Sequence, residues 1–193
     1  MAAAGKVTIG FSKPYVALYS ESGGVVTYTS GQKLARGVSV SAEADSSDNN
    51  NFYADNIVAE SDAGAFSGGT VTLTVDGLLQ DAEKLIQGLP AVDADGFLNY
   101  DDDQVVPYVG IGFIIKTMSE GVTYYTPVIF PKTRAGAITV SAETQGESID
   151  WQTQEIPFSI FKDDTSKHQW KKVGGELATE TAAEDAIKTF LSI

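Results

Sequence analysis

The chain is predicted to be mainly β, a sandwich or barrel-like fold with one short flanking α-helix and a C-terminal α-helix. Three observations predict this. Apolar and polar side chains alternate with a period of two in several segments, glycine-bearing turns separate those segments, and only two stretches keep helical spacing.

The alternation is clearest where Val38, Val40, Ala42 and Ala44 interleave with Ser39, Ser41 and Glu43, and where Val71, Leu73 and Val75 interleave with Thr70, Thr72 and Thr74. Ile138, Val140 and Ala142 alternate with Thr139 and Ser141, and Ile156, Phe158 and Ile160 follow the same rule. Each pattern describes a strand with one face in a core and the other outward. Residues 105–115 and 124–130 are apolar on both parities, which predicts strands covered on both faces or lying at a subunit interface. Turn signals fall at Gly23-Gly24, Ser30-Gly31, Ser67-Gly68-Gly69, Glu120-Gly121 and Gln145-Gly146.

The first helix is predicted from Asp76 or Gly77 onward, with Leu78, Leu79, Ala82, Leu85, Ile86 and Leu89 on one side and Gly88 and Pro90 closing it. The second begins at a Thr-x-x-Glu capping box, Thr181 to Glu184, and carries Ala183, Ala186, Ile187, Phe190 and Leu191 as one stripe. The stretch Lys171-Lys172-Val173-Gly174-Gly175 precedes it and reads as a linker. The division is therefore a β domain over 1–162 and a basic linker with an amphipathic helix over 163–193. That helix is expected to dock on its own domain or on a neighbour.

With 193 residues, 42% apolar and 20% charged, the chain is long enough for a core and has the composition of a globular protein. No apolar run reaches the roughly 20 residues of a bilayer-spanning helix, and residues 1–6 lack the basic and apolar pattern of a secretory signal. There is no cysteine, which removes disulfides, thiolate metal sites and cysteine nucleophiles together. The formal net charge is −13, and it is concentrated: residues 43–103 hold 14 of the 26 acids and only Lys84 among the bases. Such a block argues against a grip on phosphate and for a surface that repels polyanions or binds cations.

Catalytic patterns are weak. The single histidine, His168, sits between Lys167 and Gln169 with no acid and nucleophile arranged around it, and reads as a solvent-exposed residue. No nucleophile elbow, Walker loop or dinucleotide fingerprint is present. Gly110-Ile111-Gly112 lies inside an apolar strand, where it permits close packing of a bulky neighbour. Asp93-Ala94-Asp95-Gly96 resembles part of a calcium loop, but its first ligand position would be Ala91, so a solvated acidic turn is the better reading. Among so many acids no carboxylate pair is singled out for glycoside hydrolysis. The chain is expected to be no enzyme and to need no cofactor or metal.

Three groups of residues carry a resemblance. The first is Asn51-Phe52-Tyr53-Ala54-Asp55-Asn56-Ile57-Val58-Ala59-Glu60, followed by 66–78 and Leu85-Ile86-Gln87-Gly88. The second is Pro107-Tyr108-Val109-Gly110-Ile111-Gly112-Phe113 with Tyr125-Thr126-Pro127-Val128-Ile129-Phe130-Pro131-Lys132, and the third is 144–156. In order and spacing they resemble the major tail proteins of long-tailed phages, in the branch found in phages and prophages of Gram-positive bacteria. The resemblance spans about 7–162. It departs from the pattern at Ala135-Gly136-Ala137, where a bulkier apolar residue belongs, and the segment beyond Lys162 is not distinctive.

The resemblance implies a structural virion protein, made in the host cytoplasm, whose copies form hexameric rings. The rings stack into a hollow tail tube through which DNA passes without tight binding, and no membrane is involved. It also implies a tape measure, a tail terminator and a distal tail protein as partners. On that reading Glu43, Asp45, Asp55, Glu60 and Asp62 are expected to line an acidic lumen. Asp48, Asn49, Asn50 and Asn51, with Asp95, Asp101 and Asp102, are expected to make ring-to-ring contacts. The alternatives are a carbohydrate- or receptor-binding β-sandwich, with Tyr108, Tyr124, Tyr125 and Trp151 as stacking faces, or the tube of a phage-derived bacteriocin.

Overall fold

The computed structural model describes residues 5–48, 50–62, 64–146 and 149–193. It is mainly β with two helices. The strands are β1 (Val7–Ser22), β2 (Val25–Lys33), β3 (Gly37–Ser46), β4 (Asn50–Ala54), β5 (Ile57–Asp62), β6 (Phe66–Val75), β7 (Tyr108–Ser119), β8 (Val122–Ala135), β9 (Gln154–Phe161) and β10 (Lys172–Val173); the helices are α1 (Gln80–Gln87) and α2 (Glu180–Phe190). One antiparallel sheet runs in the order β2-β1-β7-β8-β9-β6-β3, with β10 added on β8, while β4 and β5 form a separate pair. No helix among the described residues is long and apolar enough to cross a membrane.

The sheet curls until the first part of β1, ahead of the stretch paired with β2, approaches β3 at the far end. Phe11 of β1 lies over Gly37 at the start of β3, where a Cβ would come within 2.2 Å of the Phe11 ring. Inside the curl, Val16, Leu73, Ile111, Phe130, Ile156 and Phe158 form a fully buried core. α1 closes it with Ala82 and Ile86. Outside the curl, α2 lies on β1, β7 and β8 and buries Ala183, Ile187 and Leu191 against Tyr15, Ala17, Tyr28, Ile114 and Ile129. The expected packing role of Gly110 and Gly112 is observed here. A Cβ on Gly112 would lie 2.6 Å from Cγ2 of Ile187, and one on Gly110 2.4 Å from the Tyr28 ring.

Several local expectations are corrected. α1 begins at Gln80, because Asp76 is taken up accepting hydrogen bonds from the backbone N–H and guanidinium of Arg36; Leu79 is consequently exposed. Gly88 closes the helix in the left-handed conformation expected of it, φ 66°. The α2 cap is Thr179, whose hydroxyl accepts from the Ala182 N–H, and not Thr181. That releases Glu184 to reach across to β1, where it accepts hydrogen bonds from Lys13 and Tyr15, while Lys188 one turn on along α2 also donates to it. These bonds, Lys13 first, hold its carboxyl at about 2 against the opposing effect of burial. The stretch before α2 is not loose, since Lys172 and Val173 pair with β8 and Leu177 bridges Tyr125.

Gly23-Gly24 and Glu120-Gly121 are two-residue hairpin turns with positive φ throughout, matching the right-handed twist of the flanking strands. Ser30-Gly31 and Ser67-Gly68-Gly69, expected as turns, instead lie within β2 and β6. Residues 105–107 precede β7 and are not strand. The expected strand at Ile138, Val140 and Ala142 is absent, because no neighbouring strand pairs with it there.

Candidate functional surface

The alternation of β3, β6 and β9 puts Val40, Val71, Leu73, Ile156 and Phe158 toward the core. The opposite parity therefore forms one continuous outer face. Register fixes its rows: Ser39 stands opposite Thr74, Ser41 opposite Thr72 and Glu43 opposite Thr70. Thr70 in turn stands opposite Ser159, and Thr74 opposite Glu155. Ser39 and Thr74 share a hydrogen bond of 2.9 Å. On these three strands the face thus consists of short hydroxyls, the carboxylates of Glu43, Asp45 and Glu155, and Pro157 opposite Thr72, with no Lys or Arg side chain among them. The nearest cations in register are Arg134, opposite Ser159, and Lys132, opposite Phe161. Both are engaged: Arg134 lies 4.1 Å from the centre of the Tyr108 ring, and Lys132 bonds Asp164 at 2.7 Å. Sequence reasoning missed Glu155 and the hydroxyl rows as members of this surface. The threonine alternation at 70, 72 and 74 was their signal.

Beyond β3 the chain leaves the sheet as an arm, the β4–β5 hairpin. Its root is tied by Ser47 and Ala65, which exchange two hydrogen bonds of 2.9 and 3.0 Å. Phe66 stacks on Trp170 at 4.4 Å just below. The tip is the pair Asp55-Asn56, both at positive φ between the paired residues Ala54 and Ile57. Asp and Asn tolerate that conformation better than other non-glycine residues. Phe52, Tyr53, Ile57 and Val58 are all exposed, and an isolated two-stranded hairpin is at best marginally stable in water. The arm contains Asp48, Asp55, Glu60 and Asp62 and no base.

The proposed lumen acids therefore divide. Glu43 and Asp45 stand on the sheet face, while Asp55 sits at the arm tip and Glu60 opposite Phe52 on its ladder. Asp62 pairs with Asn50 through the backbone at the arm base. Of the proposed contact residues, Asp48 is exposed at the start of the arm and Asn51 accepts a bond from Ser61 at 2.6 Å. Asn49 lies outside the described residues.

Asp95, Asp101 and Asp102 belong to a different body, the exposed loop between α1 and β7. Asp93 organises its first part by accepting from the N–H groups of Asp95 and Phe97, at 3.0 and 2.9 Å, and from Asn99. The Phe97 and Asn99 bonds lead in holding its carboxyl below the usual range. The calcium-like motif is thus an internally bonded turn. The loop is fastened to α1, with Tyr100 donating to Glu83 at 2.7 Å and Gln104 to the Gln87 carbonyl at 2.8 Å. Desolvation, reinforced by Glu83, pushes the Tyr100 hydroxyl up to about 12.

Other candidates are occupied or isolated. Tyr108 is covered by Arg134, with Lys132 at 4.6 Å, and Tyr125 by Lys116; Tyr124 is part-buried, and of the four aromatics only Trp151 is widely exposed. His168 is exposed, with Nδ1 at 3.3 Å from the Asp163 carbonyl. No group of three or more potential metal ligands occurs among the described residues. No protein-family model matches the chain, and no curated protein matches its sequence.

Proposed function

We propose that this chain is the structural subunit of a long-tailed phage tail tube, closing into hexameric rings that stack around a DNA channel. The observation that carries the reading is the outer face of β3, β6 and β9. The hydroxyls and carboxylates of these three strands offer a passing duplex no cation, and the adjoining Arg134, beside Ser159, lies over the Tyr108 ring. A polyanion therefore meets a surface dominated by carboxylates and slides along it with little adhesion. Two further observations support self-assembly. Both ends of the sheet, β2 and β3, lack a further strand partner among the described residues, and long open edges are features that stable monomers usually cover or blunt. The acidic arm carries exposed aromatic and aliphatic side chains with no cover of their own. The tape measure, terminator and distal tail proteins belong to this proposal only through the family resemblance.

Electron microscopy of the purified chain over a concentration series, with light scattering, tests it. Rings or hollow tubes of uniform diameter are expected. A monomer at every concentration overturns the reading.

A further inference from the structure

Between β8 and β9 the chain makes an excursion, 136–153, with no helix or strand among its described residues. Its two limbs nevertheless run side by side. Thr139, Val140 and Ser141 face Gln152 and Thr153 across a cleft. No backbone hydrogen bond joins the limbs among the described residues. The first limb has the apolar–polar alternation of a strand in its sequence; Ile138 packs against the core, while Val140, of the same parity, is left 86% exposed. On the second limb Trp151 is 82% exposed. An alternating segment in water without a ladder is a strand that lacks a partner, because backbone donors and acceptors need a neighbouring strand to pair.

We infer that the limbs 138–142 and 150–153 become strands on the open β2 edge of a second copy of this chain. Charge selects the edge. The excursion contains Glu143, Glu147 and Asp150 and no base. The β3 edge presents Glu43 and Asp45, and like charges facing across strands are destabilising. β2 carries Lys33 as its sole charge and no proline. Its flank away from β1 has no strand partner among the described residues. Donor and acceptor lie at different places in the sheet order, so the contact is head-to-tail and either closes by rotation or propagates. This inference rests on the self-assembly in the proposed function and adds which segments meet.

Hydrogen exchange of the full chain, followed by mass spectrometry across a concentration series with light scattering on the same samples, tests it. Amides of 138–142, 150–153 and β2 are expected to slow at least ten-fold as assemblies form, with those of β3 unchanged. Assemblies in which 138–142 keep the exchange rate of the free chain overturn the inference and leave the tube reading standing. Protection of β3 in place of β2 overturns the edge assignment. No assembly at all overturns both. Val140→Pro supplies a second reading, since the residue is exposed and outside any strand. The thermal midpoint of the free chain is expected to hold while the concentration needed for assembly rises at least ten-fold; an unchanged concentration also overturns the inference.

Discussion

On β1, β7 and β8 the outward parity carries Tyr15, Ala17, Gly110, Gly112, Ile114 and Ile129, and α2 lies in the groove those glycines leave. On β3, β6 and β9 the outward parity carries Ser39, Ser41, Glu43, Thr70, Thr72 and Glu155, and no helix covers them. One sheet thus has its apolar back sealed by its own C-terminal helix and its polar back left wet. An apolar face costs free energy in water until something covers it, about 25 cal/mol per Å². A face of short hydroxyls and carboxylates is already satisfied by solvent. The difference marks which surface serves the subunit's stability and which is free to serve something else.

Breaking the sealed side gives the largest effects. Ile187→Ala removes a fully buried side chain from the α2 interface and is expected to cost about 2–4 kcal/mol, read from denaturant unfolding. Next comes Gly112→Ala, whose added methyl group meets Ile187 at 2.6 Å. A loss of about 1–3 kcal/mol is expected, with faster amide exchange in α2.

Acid sharpens the comparison. Glu184 is held at about 2 against an ordinary 4.5, so its stabilising bonds are present above 4.5 and are lost as pH falls toward 2. The thermal midpoint is expected to drop through that window, while Glu184→Gln is less stable at pH 7 and changes less across it. An identical pH profile for the two proteins would remove Glu184 as the clamp.

The smallest stability effect is expected on the bare side. Thr72→Val there should shift stability within about 0.5 kcal/mol. Converting Glu43, Asp45 and Glu155 to lysine should likewise leave the fold intact but make assemblies retain duplex DNA, with retention falling steeply as salt rises. Retention that ignores salt, or an unfolded triple variant, would break the contrast between the faces.

What the sequence made legible follows from how many faces of a segment are covered. β3, β6 and β9 have one dry and one wet side, and their alternation was plain. β1 was not recognised: its middle, Tyr15, Val16 and Ala17, is buried on both parities, and register shifts at 8–10 and 12–15 break the period. The β4–β5 pair was hidden because its apolar residues do not alternate toward any core. The wrong cap for α2 has a similar origin. Thr181 and Glu184 fit the local pattern, but Glu184 is claimed by Lys13 and Tyr15 some 170 residues away in sequence, and no local signal carries that. On the candidate surface, Glu43 and Asp45 were legible as outward acids. Their separation from Asp55 and Glu60 depends on where the chain leaves the sheet.

The arm also gives the protein an experimental handle. With no cysteine anywhere in the chain, Glu60→Cys would place a sole thiol on the hairpin, remote from both packed cores. A fluorophore or spin label attached there reports one position per copy, and in a regular array of copies those positions become a ruler. The label-to-label distance would read the repeat of the assembly in solution, without a micrograph.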